Sequence, residues 1–279
     1  MDKTVFLLGA WDPEMEAVKE LLAKAGLTYR EATYKGKPVS PRTAYCADPI
    51  QTAERLVLVE CNPKVVPADA EIVRIDHHNP GDYGYDLGPD RYLEASSIGQ
   101  LICFLQNKYP GLGWSIETVP ERIRHIAAID HCLGDAYRGR CPGVIPGKLY
   151  SFRFQSLALE KGVQVGTVRA LVRQCRQALK EAKHIPFGHS SVADMRDVAT
   201  GLGYSLQYMG LREAALISGV PYLVRSRNTE DEPVKVVLNG MASQEEVSYF
   251  MNIWGPAEGL VDIFGVPMRG YAGGFVSSR

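Results

Sequence analysis

The sequence predicts an α/β fold with two domains. An N-terminal domain, 1–150, is expected to hold a mainly parallel sheet flanked by helices, because short apolar runs alternate there with helical patterns. A stretch rich in proline and glycine at 142–148 ends that domain. Linker helices at 151–186 and a smaller α/β domain at 187–279 follow, with the functional cleft expected between the two domains. The length of 279 residues fits two domains of about 100–200 residues each.

Each element has its own signal in the sequence. Short, mostly apolar runs predict strands at Thr4–Leu8, Arg55–Val59 and Glu71–Ile75. Apolar residues at helical spacing predict helices at 13–25, 96–108, 120–130 and 165–183. In the C-terminal part we expect strands at 219–225 and 234–239, a helix at 243–253 and a glycine-rich tail. Strand and helix alternate in the first half as in a parallel sheet built from strand-helix-strand units.

The composition excludes several classes of protein. Hydrophobic residues at 46% and charged residues at 23% are typical of globular chains, which excludes disordered, collagen-like and coiled-coil proteins. With 31 basic and 32 acidic residues the net charge is -1, so no overall field attracts nucleic acid or an anionic membrane. The six cysteines form no C-x-x-C pair and predict reduced thiols, and the N-terminal apolar run is too short for a signal peptide. We therefore expect a cytoplasmic protein with no membrane partner.

The helix predicted at 165–183 has a basic face. Its cations recur at offsets of four, three, four and three: Arg169, Arg173, Arg176, Lys180 and Lys183. Its apolar residues lie toward another side: Val168, Val172, Cys175 and Leu179. This pattern predicts an amphipathic helix that buries the apolar stripe and links the two halves. Two interpretations of the cations stay open, since they either keep the helix soluble or bind a phosphate backbone.

Acidic residues and histidines follow the predicted strands. In an open parallel sheet, ligands bind at the carboxyl ends of the strands. The residues in question are Asp12, Glu14 and Glu16 after the first strand, Glu60 after the second, Asp76, His77 and His78 after the third, and Asp130 and His131 after the apolar stretch 125–129. Carboxylates and imidazoles that converge from separate strands suit a pair of Mn²⁺ or Mg²⁺ ions, which can activate water and neutralise a phosphoryl group.

Each segment also has a simpler explanation. Asp12 could cap a helix that starts at Pro13, and Glu60 could face solvent at a strand end. Asp130 and His131 could form a hydrogen-bonded pair at a helix end. The triplet at 76–78 is harder to attribute to chance, because the chain has only six histidines.

With these motifs the chain resembles the DHH phosphoesterase superfamily, which includes manganese-dependent pyrophosphatases, RecJ-type exonucleases and oligoribonucleases. The resemblance covers most of the first 150 residues and rests on three segments in order: I-D-H-H-N-P at 75–80, L-E-A-S-S-I-G-Q-L-I at 93–102 and I-A-A-I-D-H-C at 126–132. The family's first motif is a His followed by Asn-Pro-Asp-x-Asp, and 12–16 falls on its last five positions. The Asp of the family's second motif falls on Glu60.

The resemblance implies a role for each matched residue. The implied metal ligands are Glu14, Glu16, Glu60, His77 and Asp130. His78 would contact the substrate phosphate, with Asp76 as its catalytic partner. The implied substrate-binding residues are His131, Ser96, Ser97, Arg269, Gly270, Gly273 and Gly274. Ser96 and Ser97 fit helix caps equally well.

The chain departs from the family at the metal ligands. Ala10 takes the position of the first-motif His, and glutamates replace three aspartates. A glutamate is one methylene longer, which is a large change for an octahedral Mg²⁺ site. Either the site is rebuilt around longer carboxylates and keeps one ion or an altered pair, or catalysis is lost and a binding pocket remains.

The resemblance implies a metal-dependent phosphoesterase that hydrolyses a small phosphodiester, a short single-stranded oligonucleotide or a related phosphoanhydride with metal-activated water. Retained negative charge at all three substituted positions favours this enzyme, since carboxylates held together without a cation are costly. The alternative is a protein that binds or senses a nucleotide or phosphate on the same fold without catalysis. The identity of the metal, Mn²⁺ or Mg²⁺, and a homodimer are left open.

Overall fold

The computed structural model describes residues 4–197, 200–202, 205–227, 233–267 and 270–277. The chain divides into two compact units, Met1–Leu149 and Tyr150–Arg279. The first unit contains a four-stranded parallel sheet flanked by helices, and the second contains a separate mixed sheet. The predicted α/β class is therefore confirmed.

The first unit is built on four parallel strands in the order β2-β1-β5-β6. The strands of this unit are β1 (Thr4–Leu8), β2 (Tyr29–Glu31), β3 (Thr33–Tyr34), β4 (Lys37–Pro38), β5 (Arg55–Val59) and β6 (Glu71–Ile75). Its helices are α1 (Pro13–Lys24), α2 (Tyr92–Ala95), α3 (Ser97–Lys108) and α4 (Glu121–Tyr137). The short strands β3 and β4 form a separate hairpin. Strands β1, β5 and β6 have the predicted bounds, and their final residues Leu8, Val59 and Ile75 pair across the sheet.

The strand order reverses between β1 and β5. From β1 the chain runs through α1 to β2 at one edge, and β5 then pairs with the other side of β1. Ligands bind at such a reversal of strand order in open α/β sheets. Both central strands are buried, as expected of a sheet covered on both faces. The segments that leave these two strands carry the acidic residues of the candidate site.

The second unit combines helices with the mixed sheet, whose order is β12-β13-β11-β10-β8-β7, with β9 beside β10. Helix α5 (Pro146–Glu160) leads into this unit. Its other helices are α6 (Val165–Glu181), α7 (Leu206–Ser218), α8 (Gln244–Tyr249) and α9 (Gly255–Ala257). Its strands are β7 (His184–Phe187), β8 (Ser190–Asp194), β9 (Thr200–Leu202), β10 (Tyr222–Arg227), β11 (Lys235–Asn239), β12 (Leu260–Val266) and β13 (Tyr271–Val276).

Several predicted elements have different ends in the structure. The helix predicted at 120–130 continues to Tyr137, with a break in helical geometry at Cys132. The helix predicted at 243–253 is α8 followed by a π-helical turn, Phe250–Trp254, and the glycine-rich tail contains β13. Helix α6 ends at Glu181 because Ala182 is extended, so Lys183 lies outside the helix. None of the helices among the described residues has the length and apolar character to cross a bilayer.

Candidate metal centre

Four side chains of the first unit converge beyond the carboxyl ends of β1, β5 and β6. They are Glu14 at the start of α1, Glu60 after β5, His77 after β6 and Asp130 in α4. One potential ligand atom from each lies within 4.8 Å of the others. The side chains of Glu14, Glu60 and His77 are buried, and that of Asp130 is 19% exposed. Segments distant in the sequence thus form one compact, largely buried donor set.

Glu14 reaches this cluster through the start of α1. Asp12 caps the helix by accepting a hydrogen bond from the Met15 backbone N–H at 2.7 Å, and Pro13 occupies the first helical turn. The simpler explanation of Asp12 is therefore confirmed. Glu14 Oε1 accepts a hydrogen bond from the Ile98 N–H at 3.1 Å, whereas its Oε2 is buried with no hydrogen-bond partner among the described residues. A buried carboxylate oxygen without a donor suits a cation ligand.

Glu60 owes its position to an unusual backbone turn at the end of β5. Its φ is 51°, in the left-handed region that residues other than glycine rarely occupy. Gly9 makes the turn possible, because a Cβ at Gly9 would lie only 2.3 Å from the Glu60 carbonyl oxygen. Oε1 of Glu60 is buried and accepts no hydrogen bond from the residues that the structure describes. The expectation that Glu60 could face solvent is wrong, since it is 7% exposed.

His77 lies at the centre of the donor set. Its Nε2 is 2.9 Å from Oδ2 of Asp130, and its Nδ1 is 3.4 Å from the hydroxyl of Ser97. Gly84 lets the chain pass close to His77, because a Cβ there would lie 2.7 Å from the Cβ of His77 and 2.0 Å from the carbonyl oxygen of Ala95. Close packing therefore fixes the loop that carries His77.

Asp76 organises the loop rather than joining the four donors. Its Oδ1 accepts hydrogen bonds from the backbone N–H of His77 at 2.8 Å and of His78 at 3.0 Å, and Nδ1 of His78 is 3.1 Å away. The Tyr45 hydroxyl donates to the same carboxylate at 3.0 Å. Gln100 holds the Asp76 backbone, because its side-chain N–H donates to the carbonyl at 2.9 Å.

His78 stands at the exposed side of the cluster. Its side chain is 37% exposed, its ring stacks on His77 at 4.3 Å, and its Nδ1 is 3.9 Å from Oε1 of Glu60. A second donor set, which shares two members with the first, contains Glu60, His77 and His78.

The carboxyl groups of the site differ in the direction in which their pKa values are shifted. Burial raises the pKa of Glu14 well above its usual range, and the charges of Asp130 and Glu60 raise it further. Burial and the charge of Asp130 also raise the pKa of Glu60, and burial with the neighbouring charges raises the pKa of Asp12 to about 7. Burial opposes ionisation of Asp130, but the adjoining His77 outweighs it and lowers the pKa of Asp130 to about 2.

The imidazole of His78 is held in its charged form. Burial favours the neutral ring, but the hydrogen bond to Asp76 and the charges of Glu60 and Asp130 outweigh this and raise the pKa of His78 to about 9. His78 is therefore a cation at neutral pH. A charged imidazole at the exposed side of a carboxylate cluster suits an anionic ligand.

The donor set fits a hard divalent cation. Three carboxylates and an imidazole provide the oxygen and nitrogen ligands that Mn²⁺ accepts. Donor atoms on opposite sides of one Mg²⁺ ion lie about 4.2 Å apart, at about 2.1 Å from the ion. The four donor atoms all lie within 4.8 Å of one another, so a single ion can contact several of them. The unsatisfied oxygens of Glu14 and Glu60 supply an independent reason for a cation at this position.

Some residues implied by the resemblance lie outside this donor set. Glu16 is 50% exposed, and its carboxylate accepts a hydrogen bond from the Trp11 indole N–H at 3.2 Å. Ser96 caps α3 by accepting from the Gly99 N–H. His131 Nε2 is 2.9 Å from the carbonyl oxygen of Leu87, and its ring meets His77 edge-on at 5.3 Å.

The glycines of the tail belong to the second unit. Gly270 adopts a φ of 62° in the turn before β13, where a Cβ would lie 2.6 Å from the Ala242 carbonyl oxygen. Gly273 and Gly274 lie inside β13, and a Cβ on Gly273 would press against the ring of Phe264. Close packing therefore explains glycine at these positions. Arg269 lies outside the described residues.

Sequence reasoning missed Tyr45 and Gln100. Tyr45 donates a hydrogen bond to the side chain of Asp76, and Gln100 donates one to its backbone carbonyl. Tyr45 lies in a segment without a periodic pattern, and no residue-level signal identifies it. Gln100 lies within the segment 93–102, so the quoted motif contained it without giving it a role.

No protein-family model matches the chain, and a search of curated proteins finds no match.

Proposed function

We propose that the protein is a metal-dependent phosphoesterase that acts on a small phosphodiester, a short single-stranded oligonucleotide or a related phosphoanhydride. One observation carries the proposal: Glu14, Glu60, His77 and Asp130 bring four donor atoms within 4.8 Å of one another at the carboxyl end of a parallel sheet. Two of the carboxylates have a buried oxygen that accepts no hydrogen bond from the described residues, as expected of cation ligands.

The four donors would hold one divalent cation. A divalent cation bound there would lower the pKa of water and neutralise the charge of a phosphoryl group. Asp130 would bind the cation as a carboxylate, because the neighbouring His77 lowers its pKa. Protons compete with the cation at Glu14 and Glu60, since the pKa values of both are raised in its absence.

His78 is proposed to contact the phosphoryl oxygens. Asp76 orients the ring through Nδ1, which leaves Nε2 for the substrate. In the metal-free protein the hydrogen bond to Asp76 and the neighbouring carboxylates raise the pKa of His78 to about 9, and an imidazole N–H donor stabilises developing negative charge on phosphoryl oxygens. Tyr45 supports this arrangement as a positioning residue through its hydrogen bond to Asp76.

The proposal is tested by assaying purified protein with Mn²⁺, Mg²⁺ or Co²⁺ against pyrophosphate, dinucleotides and short oligoribonucleotides. We expect turnover with at least one substrate, its loss in EDTA, and a decrease of about 10²-fold or more in His77→Ala. His189→Ala is the matched control, because His189 is exposed in the second unit. The control should retain full activity.

Two outcomes would contradict the proposal. One is no turnover with any metal and substrate of the panel, and the other is turnover that His77→Ala leaves unchanged. Nucleotide binding that persists without turnover and is insensitive to EDTA would instead support the non-catalytic binding protein.

A further inference from the structure

Helix α6 presents a row of cations along one flank. Its four basic side chains are exposed: Arg169, Arg173, Arg176 and Lys180. At 100° per residue they lie within an arc of about 60°, and they span about 17 Å along the helix axis. The one acidic residue of the helix, Glu181, lies about 100° from the centre of the row and is bonded to Gln177. The row is therefore a straight line of positive charge.

No carboxylate among the residues that the structure describes neutralises these four cations. Within the described residues, none of the four has a carboxylate oxygen within ion-pair distance, and Arg176 donates only to the Ser218 hydroxyl at 3.2 Å. Other exposed or partly exposed cations of the protein commonly have an acidic partner. Examples are Arg55–Glu71, Arg122–Glu20, Lys148–Glu121 and Arg225–Asp197. The flank is therefore a local patch of positive charge on a protein whose net charge is -1.

The flank offers no apolar face to a membrane. The apolar stripe of α6 is buried in the core of the second unit, where it packs with residues of α7 and β10: Val168, Val172, Cys175 and Leu179. Peripheral membrane helices insert their apolar face between lipids, whereas the apolar face of α6 is buried in the protein core. The exposed cations are mainly arginines, whose guanidinium groups bind phosphate oxygens in bidentate fashion.

We propose that this flank binds the phosphate backbone of single-stranded nucleic acid, without reading its sequence. A straight row of cations can follow one backbone, and phosphates recur along a strand closely enough to meet each side chain. The inference concerns the second unit alone and does not depend on the proposed metal chemistry. It assigns a function to the basic face that the sequence left open.

The test is fluorescence anisotropy of a labelled 20-nucleotide single strand in EDTA, which excludes metal-dependent turnover. We expect the double variant Arg169→Glu/Arg173→Glu to bind about tenfold more weakly or worse than the unmodified protein. The matched control is Lys37→Glu/Lys108→Glu, which makes the same change in net charge at two exposed positions of the first unit. The control should change the affinity by less than about twofold.

The salt dependence provides a second readout. Four phosphate contacts predict a slope of log K against log salt of about -2.8 for a single strand, and the neutral variant Arg169→Gln/Arg173→Gln should reduce it to about -1.4. The neutral variant retains good helix formers, so it tests the same claim if the charge reversal disturbs folding.

Three results would overturn the proposal. The first is an unchanged affinity in both arginine variants. The second is an equal loss of affinity in the lysine control, which would show that net charge alone explains the effect. The third is binding to phosphatidylserine vesicles in the absence of oligonucleotide binding, which would assign the flank to an anionic membrane surface.

Discussion

Nε2 of His77 lies 2.9 Å from Oδ2 of Asp130, which joins the loop after β6 to helix α4 at the centre of the candidate metal centre. The pair gives Asp130 a low pKa, about 2, while burial and the charge of Asp130 raise the pKa of Glu14 and Glu60. Without a cation, the site therefore contains one carboxyl group with a lowered pKa, that of Asp130, and two with raised pKa values. These opposite pKa shifts predict how the stability and metal binding of the site respond to pH and to substitution.

Replacing Glu14 with glutamine should stabilise the metal-free protein and abolish its stabilisation by metal. The amide keeps an oxygen that can accept the hydrogen bond from Ile98, and it cannot ionise, so the cost that raises the pKa of Glu14 is removed. In EDTA at pH 8 we expect Tm to rise by about 2–4 °C, corresponding to about 1 kcal/mol. Differential scanning calorimetry with and without Mn²⁺ measures both effects. Glu16→Gln, at an exposed position, is the control and should change neither.

Stabilisation by metal should increase from pH 5.5 to pH 8. The pKa values of Glu14, Glu60 and Asp12 are raised in the folded protein, that of Asp12 to about 7. A raised carboxyl pKa makes the metal-free fold most stable at low pH, and this advantage is lost as pH rises through the folded pKa. Mn²⁺ competes with those protons, so the shift in Tm between Mn²⁺ and EDTA should grow with pH. A shift that is constant across this range would contradict the assignment.

A methyl group at Gly9 should disturb the turn that positions Glu60. Its Cβ would lie 2.3 Å from the Glu60 carbonyl oxygen, and the backbone would have to move. We expect Gly9→Ala to lower the free energy of unfolding by about 1–3 kcal/mol and to weaken Mn²⁺ binding. Urea unfolding and Mn²⁺ titration measure these effects. Gly166→Ala is the control, since a Cβ there meets no atom within 4 Å, and a stable Gly9→Ala with normal Mn²⁺ affinity would refute the argument.

The buried ion pair of the second unit should be costly to break from one side. Nε of Arg153 donates to Oε1 of Glu213 at 2.9 Å, and both residues are buried. Arg153→Met removes the counter-charge of a buried carboxylate and should cost about 3–5 kcal/mol. The double variant Arg153→Met/Glu213→Leu should recover most of that loss in urea unfolding. Equal instability of the single and double variants would contradict this account.

The elements that carry the site were predictable because their signals are local. The strands β1, β5 and β6 are short apolar runs, and the pattern alone located their ends. A parallel sheet then places the residues after those strands near one another, which is why Glu14, Glu60 and His77 could be proposed as neighbours. The apolar stripe of α6 was equally clear, and all four of its residues are buried.

Other features depend on contacts between distant residues and leave no local signal. The hydrogen bond from Tyr45 to Asp76 joins positions 31 residues apart. The positive φ of Glu60 requires space that Gly9 provides from another strand. Strand β2 is exposed at every residue and has no apolar pattern to identify it. Neither glycine nor proline marks the end of α6 before Lys183. The sequence therefore placed Lys183 on the basic face of the helix, although it lies outside the helix.

Isothermal titration of metal-free protein with Mn²⁺ at pH 8, repeated on His77→Ala and Asp130→Asn, tests the central claim most directly. The account predicts saturable binding of at least one ion per chain, and affinities at least about tenfold weaker in both variants. Absence of saturable binding, or equal affinity in the unmodified protein and the two variants, would contradict the proposal that these side chains hold a cation.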